Sequence, residues 1–508
     1  MTSFGNEAGL KWSSCTTTGF GGPNPCVPHG GSHATGVSPD APARGRGAGP
    51  PSRAGRAPPR QVPPVRGRER AVTPRDLSGT HHPVAVIGGG QAGLAMSYCL
   101  RERGIEHVVL EADRVGREWR ERRWDSFCLV TPNWQCKLPG FPYAGADPDG
   151  FMVRDEVLRY LEDYVSYFRP PLAEGVTVTG LRRSATGVFE LASDAGDFTA
   201  EQVVVATGPY HGPAVPRLAE RLPADVAQLH SSQYRNPGQP AEGAVLVIGT
   251  GQSGCQIAED LHLAGRRVHL AVGSAPRVAR FYRGRDCVAW LDEMGHYAKE
   301  VGEFADSEAV RMRVNHYVTG RDGGRDIDLR AFARDGMHLY GRLTEVAGTR
   351  LEFAAGLKAD LDHADSVAEG IKDSIDAHID AHGIDAPEEA RYVPVWEPDE
   401  EPGTLDLREA GISTVIWSTG FVRDHQWIGA PVFDGRGYPM HWRGVTNCPG
   451  LYFLGLPWQH TWGSGRFEGV GRDAEFLAGH IDASRRLADV CDTLTGTPLH
   501  LSPAVPVG

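Results

Sequence analysis

The sequence predicts an α/β chain in which one dinucleotide-binding domain is nested inside another, with a helical insertion and a disordered N-terminal extension. Three observations predict it. Gly88-Gly89-Gly90-Gln91-Ala92-Gly93 follows the β-branched run Val84–Ile87 and opens a helix-like stretch. Gly249-Thr250-Gly251-Gln252-Ser253-Gly254 repeats that context after residues 244–248. The strands at 203–208 (VVVATG) and 415–420 (VIWSTG) come after the first and second fingerprints respectively, and each closes on a small–polar–Gly triplet. Strand, glycine turn and helix together make a Rossmann-like unit.

The residue types follow from the ligand. The turn is tight, the pyrophosphate approaches the backbone, and the helix packs closely on the strand; each step excludes a side chain. The helix N-terminus then offers free N–H groups and about half a positive charge. Gly88, Gly90, Gln91, Ala92 and Gly93 are expected to hold one nucleotide, and Gly249, Gly251, Gln252, Ser253 and Gly254 the other. Ala206, Thr207, Gly208 and Gly420, at the two strand ends, let backbone pass close to a cofactor.

Strand ends assign the nucleotides. Glu111 lies 23 residues after Gly88 and closes the second strand, where an acid holds a ribose hydroxyl. The first site therefore reads as a site for the adenosine of FAD, or for NAD. The same offset from Gly249 reaches Val272, and Ser274, Arg277 and Arg280 follow. A carboxylate at ~4 Å would repel a 2′-phosphate by about 4 kcal/mol at an effective dielectric near 20, whereas arginine attracts it. The second site reads as NADPH, with ordinary surface arginines as the alternative reading of Arg277 and Arg280.

Composition bounds the classes. The chain has 508 residues, 40% hydrophobic and 23% charged, with a net charge of −12. That charge argues against nucleic acid. No apolar run reaches the ~18 residues of a membrane span. The nine cysteines (15, 26, 99, 128, 136, 255, 287, 448 and 491) include no CxxC pair. A disulfide scaffold and a dithiol reductase are disfavoured, and a cytoplasmic location is expected. No metal-ligand cluster appears; His378 and His382, at i,i+4, read as a solvated helix face. A homo-oligomer stays open.

Along the chain, residues 1–80 are rich in Gly, Pro, Ser and Arg and poor in large apolar residues, which predicts disorder. Deleting 1–78 is expected to leave activity intact. Residues 81–212 form the first part of the FAD domain: strand, turn, helix and strand over 83–110, a helix at 157–168, then a β-meander ending in VVVATG. Residues 213–425 form the NADPH domain, with an irregular insertion at about 283–345 and a helix over 366–382 whose stripe is Val367, Ile371, Ile375 and Ile379. Residues 426–490 complete the FAD domain with a final helix, DAEFLAGHIDASRRLADV, and 491–508 form a tail.

In this order the motifs resemble the class B flavoprotein monooxygenases, over about residues 81–490. Their signature between the nucleotide sites ends in His-x-x-x-Tyr or -Trp, and QLHSSQYRNP supplies His230 and Tyr234. The Phe and Gly usual six and four places before the His are Ala224 and Val226 here. More narrowly, LEADRVGREWRERRWDSFCLVTPNWQCKLPGFPY, YRGRD, NHYVTGRDGGRDIDLR and GLYFLGLPWQHTWGSG are similar to a bacterial flavin-dependent oxidoreductase family of nitrilase-associated gene clusters.

The resemblance implies that NADPH reduces FAD and that a C4a-peroxyflavin then oxygenates a small molecule with O2. It implies catalytic or positioning roles for Asn133, His230 and Tyr234, with a turn residue after Pro132 as the other reading of Asn133. Arg117, Trp119 and Trp124 lie where the group wraps the flavin; core packing is the alternative for the indoles. Thr131, Val178, Gly455 and Gly471 complete the expected cofactor set. Asn315, His316, Trp458 and His460 are polar or aromatic loop residues expected to line a substrate pocket or to serve structure. Two rival readings stand beside monooxygenation: an NADPH-dependent flavoprotein reductase or oxidase, and a non-catalytic flavin-binding redox sensor or partner-binding module.

Overall fold

Strand β1 (His81–Ile87) starts the first sheet in a computed structural model that describes Thr73 and residues 76–495. Val84, Ala85 and Val86 are wholly buried, because a parallel strand is covered on both faces. The glycine turn leads into α1 (Gln91–Glu102), then β2 (Val108–Glu111), parallel to β1. After α2 (Arg117–Glu121) comes α3 (Arg154–Phe168), whose buried Val157, Leu161, Tyr164 and Phe168 recur at helical spacing. Next are β3 (Leu172–Glu174), the hairpin β4 (Val178–Arg183) and β5 (Phe189–Ser193), and the long β6 (Phe198–Val205). One edge of β6 runs parallel to β1. Its other edge pairs with β5 over its first residues and with a much later strand over its last.

The chain crosses to a second sheet at β7 (Gly212–Pro213). There follow β8 (Ala227–His230), β9 (Ala244–Ile248), α4 (Gln252–Leu263) and β10 (Val268–Ala271). Then come short helices α5 (Cys287–Glu293), α6 (Ser307–Met312) and α7 (Leu329–Arg334), and strand β11 (His338–Tyr340). A three-stranded antiparallel sheet, β12 (Leu343–Ala347), β13 (Arg350–Phe353) and β14 (Thr404–Asp406), encloses α8 (Leu357–His382) in sequence. The chain returns through β15 (Ile412–Trp417) and β16 (Phe421–Val422). The second sheet runs β8-β15-β9-β10-β11, all parallel. The two crossings lie side by side, since β16 pairs antiparallel with β7.

The first sheet is completed by β17 (His441–Trp442), β18 (Val445–Thr446) and β19 (Leu451–Phe453), the last parallel to the end of β6. Helix α9 (Val470–Thr495) follows.

Several boundaries differ from expectation. Most of the 1–80 segment lies outside the described residues, but Leu77 is fully buried in the first core and the Gly79 amide donates to Asp197 O. A deletion through residue 78 would therefore empty a core position. Helix α8 begins at Leu357, nine residues before the expected start, because Leu357, Leu361, Ala364 and Ala368 extend its buried stripe toward its N-terminus. Val367 and Ile371 are only half-buried, since a strict four-residue repeat drifts off the face of a 3.6-residue helix. The last strand of the irregular 283–345 stretch, β11, joins the second sheet. Helix α9 runs five residues into the expected tail; residues 496–508 lie outside the described residues. No described helix is long and apolar enough to cross a membrane.

Candidate functional site

The two glycine turns are built alike. Gly88 and Gly249 hold φ of +111° and +102°, a region that favours glycine. A Cβ on Gly93 would overlap the Gly88 carbonyl oxygen, and one on Gly254 would overlap that of Gly249. Each turn rests on the end of the strand that precedes a crossing. A Cβ at Gly88 would lie 2.5 Å from Ala206 O, and one at Gly249 would lie 2.8 Å from Ser418 O. Helices α1 and α4 have glycine N-caps, Gly90 and Gly251, with no side-chain cap and no acid in the first turn. Their leading N–H groups are therefore open to an anion.

The strand ends differ. In the first unit Glu111 Oε2 accepts from the Gly89 amide at 2.7 Å, and Oε1 accepts from Asp113 N at 3.2 Å. Burial pushes the Glu111 pKa up. Gly89 is a requirement that motif reading missed: its Cβ would lie 2.8 Å from the Glu111 Cβ. In the second unit Val272 is buried, and Thr250 closes the gap, its hydroxyl accepting from Gly273 N at 2.9 Å and donating to Gly273 O at 3.1 Å. Ser274 is exposed beside it.

Arg277 and Arg280 correct an expectation. Arg277 is 3% exposed, its Nε donates to Asp365 at 2.6 Å, and its guanidinium lies over Tyr392. Arg280 is 1% exposed, pairs with Asp286 at 2.5 Å and donates to Val130 O at 2.6 Å. Both cations are committed to partners inside the protein and hold segments together. Arg117 pairs with Asp113, ahead of its helix, and with Glu121, one turn along it. Trp124 is core, packed on Phe127 at 5.2 Å and Tyr234 at 6.4 Å. Trp119 is half-buried, with Phe467 stacked at 5.9 Å, Phe127 at 5.8 Å and Arg123 at 5.3 Å. Val178 is a hairpin residue against the first core, whereas the Val176 amide donates to Glu111 O. Thr131 is half-buried, next to the Val130 carbonyl that Arg280 holds.

Asn133 is buried and engaged at both ends of its amide. Its amide donates to Asp147 O at 2.9 Å and its carbonyl accepts from Met152 N at 2.7 Å. It braces a loop through both contacts. His230 is also placed for structure: Nε2 meets Gly420 O at 2.8 Å, and Nδ1 meets the Ser232 hydroxyl at 2.9 Å. The Tyr234 hydroxyl donates to Asp260. Both signature residues therefore hold the crossing. Thr207 Oγ1 and His211 Nε2 are 3.1 Å apart, and the Asp424 amide donates to His211 Nδ1 at 2.8 Å, which joins the two linkers. Gly208 and Gly420 both turn with positive φ there.

The loop from Gly455 to Gly469 closes over α1. A Cβ on Gly455 would lie 2.8 Å from the Ala92 Cβ, and Gln91 Nε2 donates to Gly465 O at 3.1 Å. Gly471, in the first turn of α9, packs against Pro139. The insertion meets this loop from the other side. Arg466 Nη2 donates to Asn315 Oδ1 at 2.9 Å, and the Trp462 ring lies 4.3 Å from Tyr297. His460 Nε2 pairs with Glu300 at 3.3 Å, and Trp458, at φ +53°, meets Phe304 edge-on at 5.4 Å. Burial and the neighbouring His296 and Arg313 push His316 down to about 4. The structure thus gathers Asn315, Trp458 and His460 into one roof over the first glycine turn. The insertion also reaches the second turn: Gln252 Nε2 donates to Val318 O at 2.6 Å, and a Cβ on Gly251 would lie 3.9 Å from Val314. Ser253 is half-buried beside it.

Among the described residues no group of three His, Cys, Asp or Glu is placed to hold a metal. His378 is not fully solvated; it meets Glu293 at 3.3 Å and the His382 ring at 4.2 Å.

Comparison with known proteins adds the family context. Residues 85–320 match the pyridine nucleotide-disulphide oxidoreductase family model. A protein of Geobacillus kaustophilus described as "Uncharacterized oxidoreductase CzcO-like" is 34% identical over 406 residues, covering 78% of this chain and 97% of that one. Indole-3-pyruvate monooxygenase YUCCA6 of Arabidopsis thaliana is 32% identical over 215 residues, 41% of this chain and 51% of its own length. The flavin-containing monooxygenase of Stenotrophomonas maltophilia shares the fold, with a TM-score of 0.56 at 21% identity over 80% of this chain and 99% of that one.

Proposed function

We propose, from the premise that the chain belongs to the CzcO family of oxidoreductases, that it is an FAD- and NADPH-dependent monooxygenase of a small molecule. One observation carries the reading. Two uncapped helix N-termini, each behind a glycine turn backed by a crossing strand, stand in one chain. The partial match to an indole-3-pyruvate monooxygenase supports oxygen insertion as the reaction.

The residues fit the cofactors. No atom within 4 Å would meet a Cβ on Gly90, so the cradle above it is open to a pyrophosphate. Glu111, braced by Gly89 N, is the acid for the ribose of FAD. At the second turn Gly251, Gln252 and Ser253 would hold the pyrophosphate of NADPH. The strand end there carries Val272 and no carboxylate, which suits a 2′-phosphate near Ser274. Bound FAD supplies the redox chemistry, taking electrons from the nicotinamide and passing them to O2.

The protein's part is placement and shelter. Trp119, stacked on Phe467, would stiffen the wall on the flavin side. Trp462, Tyr297 and Trp458 roof the space and exclude water. His230 and Tyr234 hold the crossing so that the two turns keep their relation. The described cysteines are free, and all but the half-buried Cys448 are buried, which suits a reducing cytoplasm.

The test is reoxidation of the NADPH-reduced holoprotein in aerated buffer. Slow return of the oxidised flavin colour, with less H2O2 than NADPH consumed once substrate is present, supports monooxygenation. Immediate return with stoichiometric H2O2 makes it an oxidase. No bleaching by NADPH makes it a binding module.

A further inference from the structure

Gln91 and Gln252 each stand first in their helix, one place after the N-cap glycine. That position favours proline, whose ring is already set for the helix and whose missing N–H the helix does not use. A glutamine there keeps its N–H for a phosphate and adds an amide on a long stem. In both turns the amide reaches the same kind of partner. Gln91 Nε2 donates to Gly465 O at 3.1 Å, and Gln252 Nε2 donates to Val318 O at 2.6 Å. Both acceptors are backbone carbonyls of distant segments, 374 and 66 residues away in sequence.

The two segments are joined to each other. Val301 N donates to His460 O at 2.7 Å, and Glu300 and Thr461 form an antiparallel bridge. Arg466, next to Gly465, donates to Asn315 at 2.9 Å, and the Trp462 ring lies 4.3 Å from Tyr297. Each segment also rests on its own turn, Gly455 against Ala92 and Val314 against Gly251. Direct contacts therefore run from the start of α1 through Gln91, Gly465, Arg466 and Asn315 to Val318, Gln252 and the start of α4. One hydrogen bond to a loop carbonyl is a modest force. Acting on a roof already joined, it lowers the cost of ordering the far side as well.

We propose that Gln91 and Gln252 are a matched pair of positioning residues. They latch one shared roof to both nucleotide turns, so that occupancy of the second turn tightens the hold of the first. This rests on the reading that the turns take FAD and NADPH.

The test follows FAD release from the FAD-loaded full chain after dilution, read as the rise in flavin fluorescence, with and without NADP+. NADP+ is expected to slow release from the parent protein about two- to tenfold, the range of one net hydrogen bond. Gln91→Met and Gln252→Met keep the length of the side chain and the backbone N–H, and lose the donor. Each is expected to bring the two release rates together, and the double variant is expected to match the single ones, because the latches act in series. NADP+ is added to saturation for each variant, judged by the flavin absorbance difference, so weaker binding does not imitate the result. Arg182→Gln, an exposed arginine paired with Glu190, is expected to keep the full slowing. No slowing in the parent protein, or undiminished slowing in either methionine variant, would overturn the proposal. NADPH bleaching and reoxidation are measured separately. A protein whose FAD release is slowed but which reoxidises at once with stoichiometric H2O2 keeps the latches and loses the monooxygenase reading. A protein bleached by NADPH whose FAD release ignores NADP+ keeps its two cofactors and loses the latches. A protein with no absorbance response to NADP+ loses both.

Discussion

The Tyr234 hydroxyl donates to Asp260 Oδ2 at 2.7 Å, deep in the protein. The other carboxylate oxygen accepts from the Ser126 hydroxyl at 2.6 Å and from Arg321 Nη1 at 2.8 Å. Four segments meet at this one side chain: the first unit, the crossing, helix α4 behind the second glycine turn, and the insertion. Asp260 therefore ties the second nucleotide turn to the first domain, and a buried network of this kind is stable only when every member is satisfied.

Tyr234→Phe removes one donor to a buried carboxylate. The expected cost is about 1.5–3 kcal/mol, read by chemical or thermal unfolding. Flavin content is expected to stay near the parent value, while the rate of bleaching by NADPH falls. An unchanged rate would remove the signature tyrosine from domain positioning.

Gly93→Ala and Gly254→Ala separate the two sites. Each new Cβ overlaps a turn carbonyl, so each turn must open. Gly93→Ala is expected to purify with little flavin. Gly254→Ala is expected to keep its flavin and lose bleaching by NADPH. The absorbance spectrum of each variant, before and after NADPH, checks the assignment.

Arg277→Ala tests the corrected role of that arginine. Asp365 keeps Arg330 at 2.8 Å as its second partner, so losing the Arg277 hydrogen bond is expected to cost about 1.5–3 kcal/mol. The ratio of KM values for NADPH and NADH is expected to hold. A large change in that ratio would return Arg277 to the 2′-phosphate.

Stability is expected to rise and then fall with pH. Burial lowers His107, His269 and His425 to about 4. Below their ordinary 6.5 the unfolded chain binds more protons than the folded one, so stability grows from about pH 4 to 6.5. Burial raises Glu259 to about 7, despite Arg325 and Arg321 nearby. There the folded state holds the extra proton, and its contribution is lost between 4.5 and about 7. Above pH 6.5 the histidine contribution is complete and the Glu259 loss continues. Glu259→Gln is expected to flatten that fall, as seen by comparing thermal midpoints at pH 6.5 and pH 8.

What could be read from the chain had local causes. Gly88, Gly93, Gly249 and Gly254 announce themselves because a six-residue turn leaves no room for a Cβ at either end. The buried parallel strands are legible as apolar runs for a similar reason, since both faces are covered. Arg277 and Arg280 misled because an arginine near a strand end looks the same whether it meets a phosphate or a carboxylate. Asp365 and Asp326 come from separate stretches of the chain, and only Asp286, six residues from Arg280, is local. Asn133 misled in the same way: its partners Asp147 and Met152 are set by how one loop folds back.

The sequence by itself determined two glycine turns, the sign of the charge at each strand end, and the order in which the domains nest. These depend on contacts within about thirty residues. Only the tertiary structure decided which charges are spent inside the protein. A guanidinium shows its purpose through its partner, and partners such as Asp365 for Arg277, or Asn315 for Arg466, become neighbours only when the insertion and the two sheets have packed.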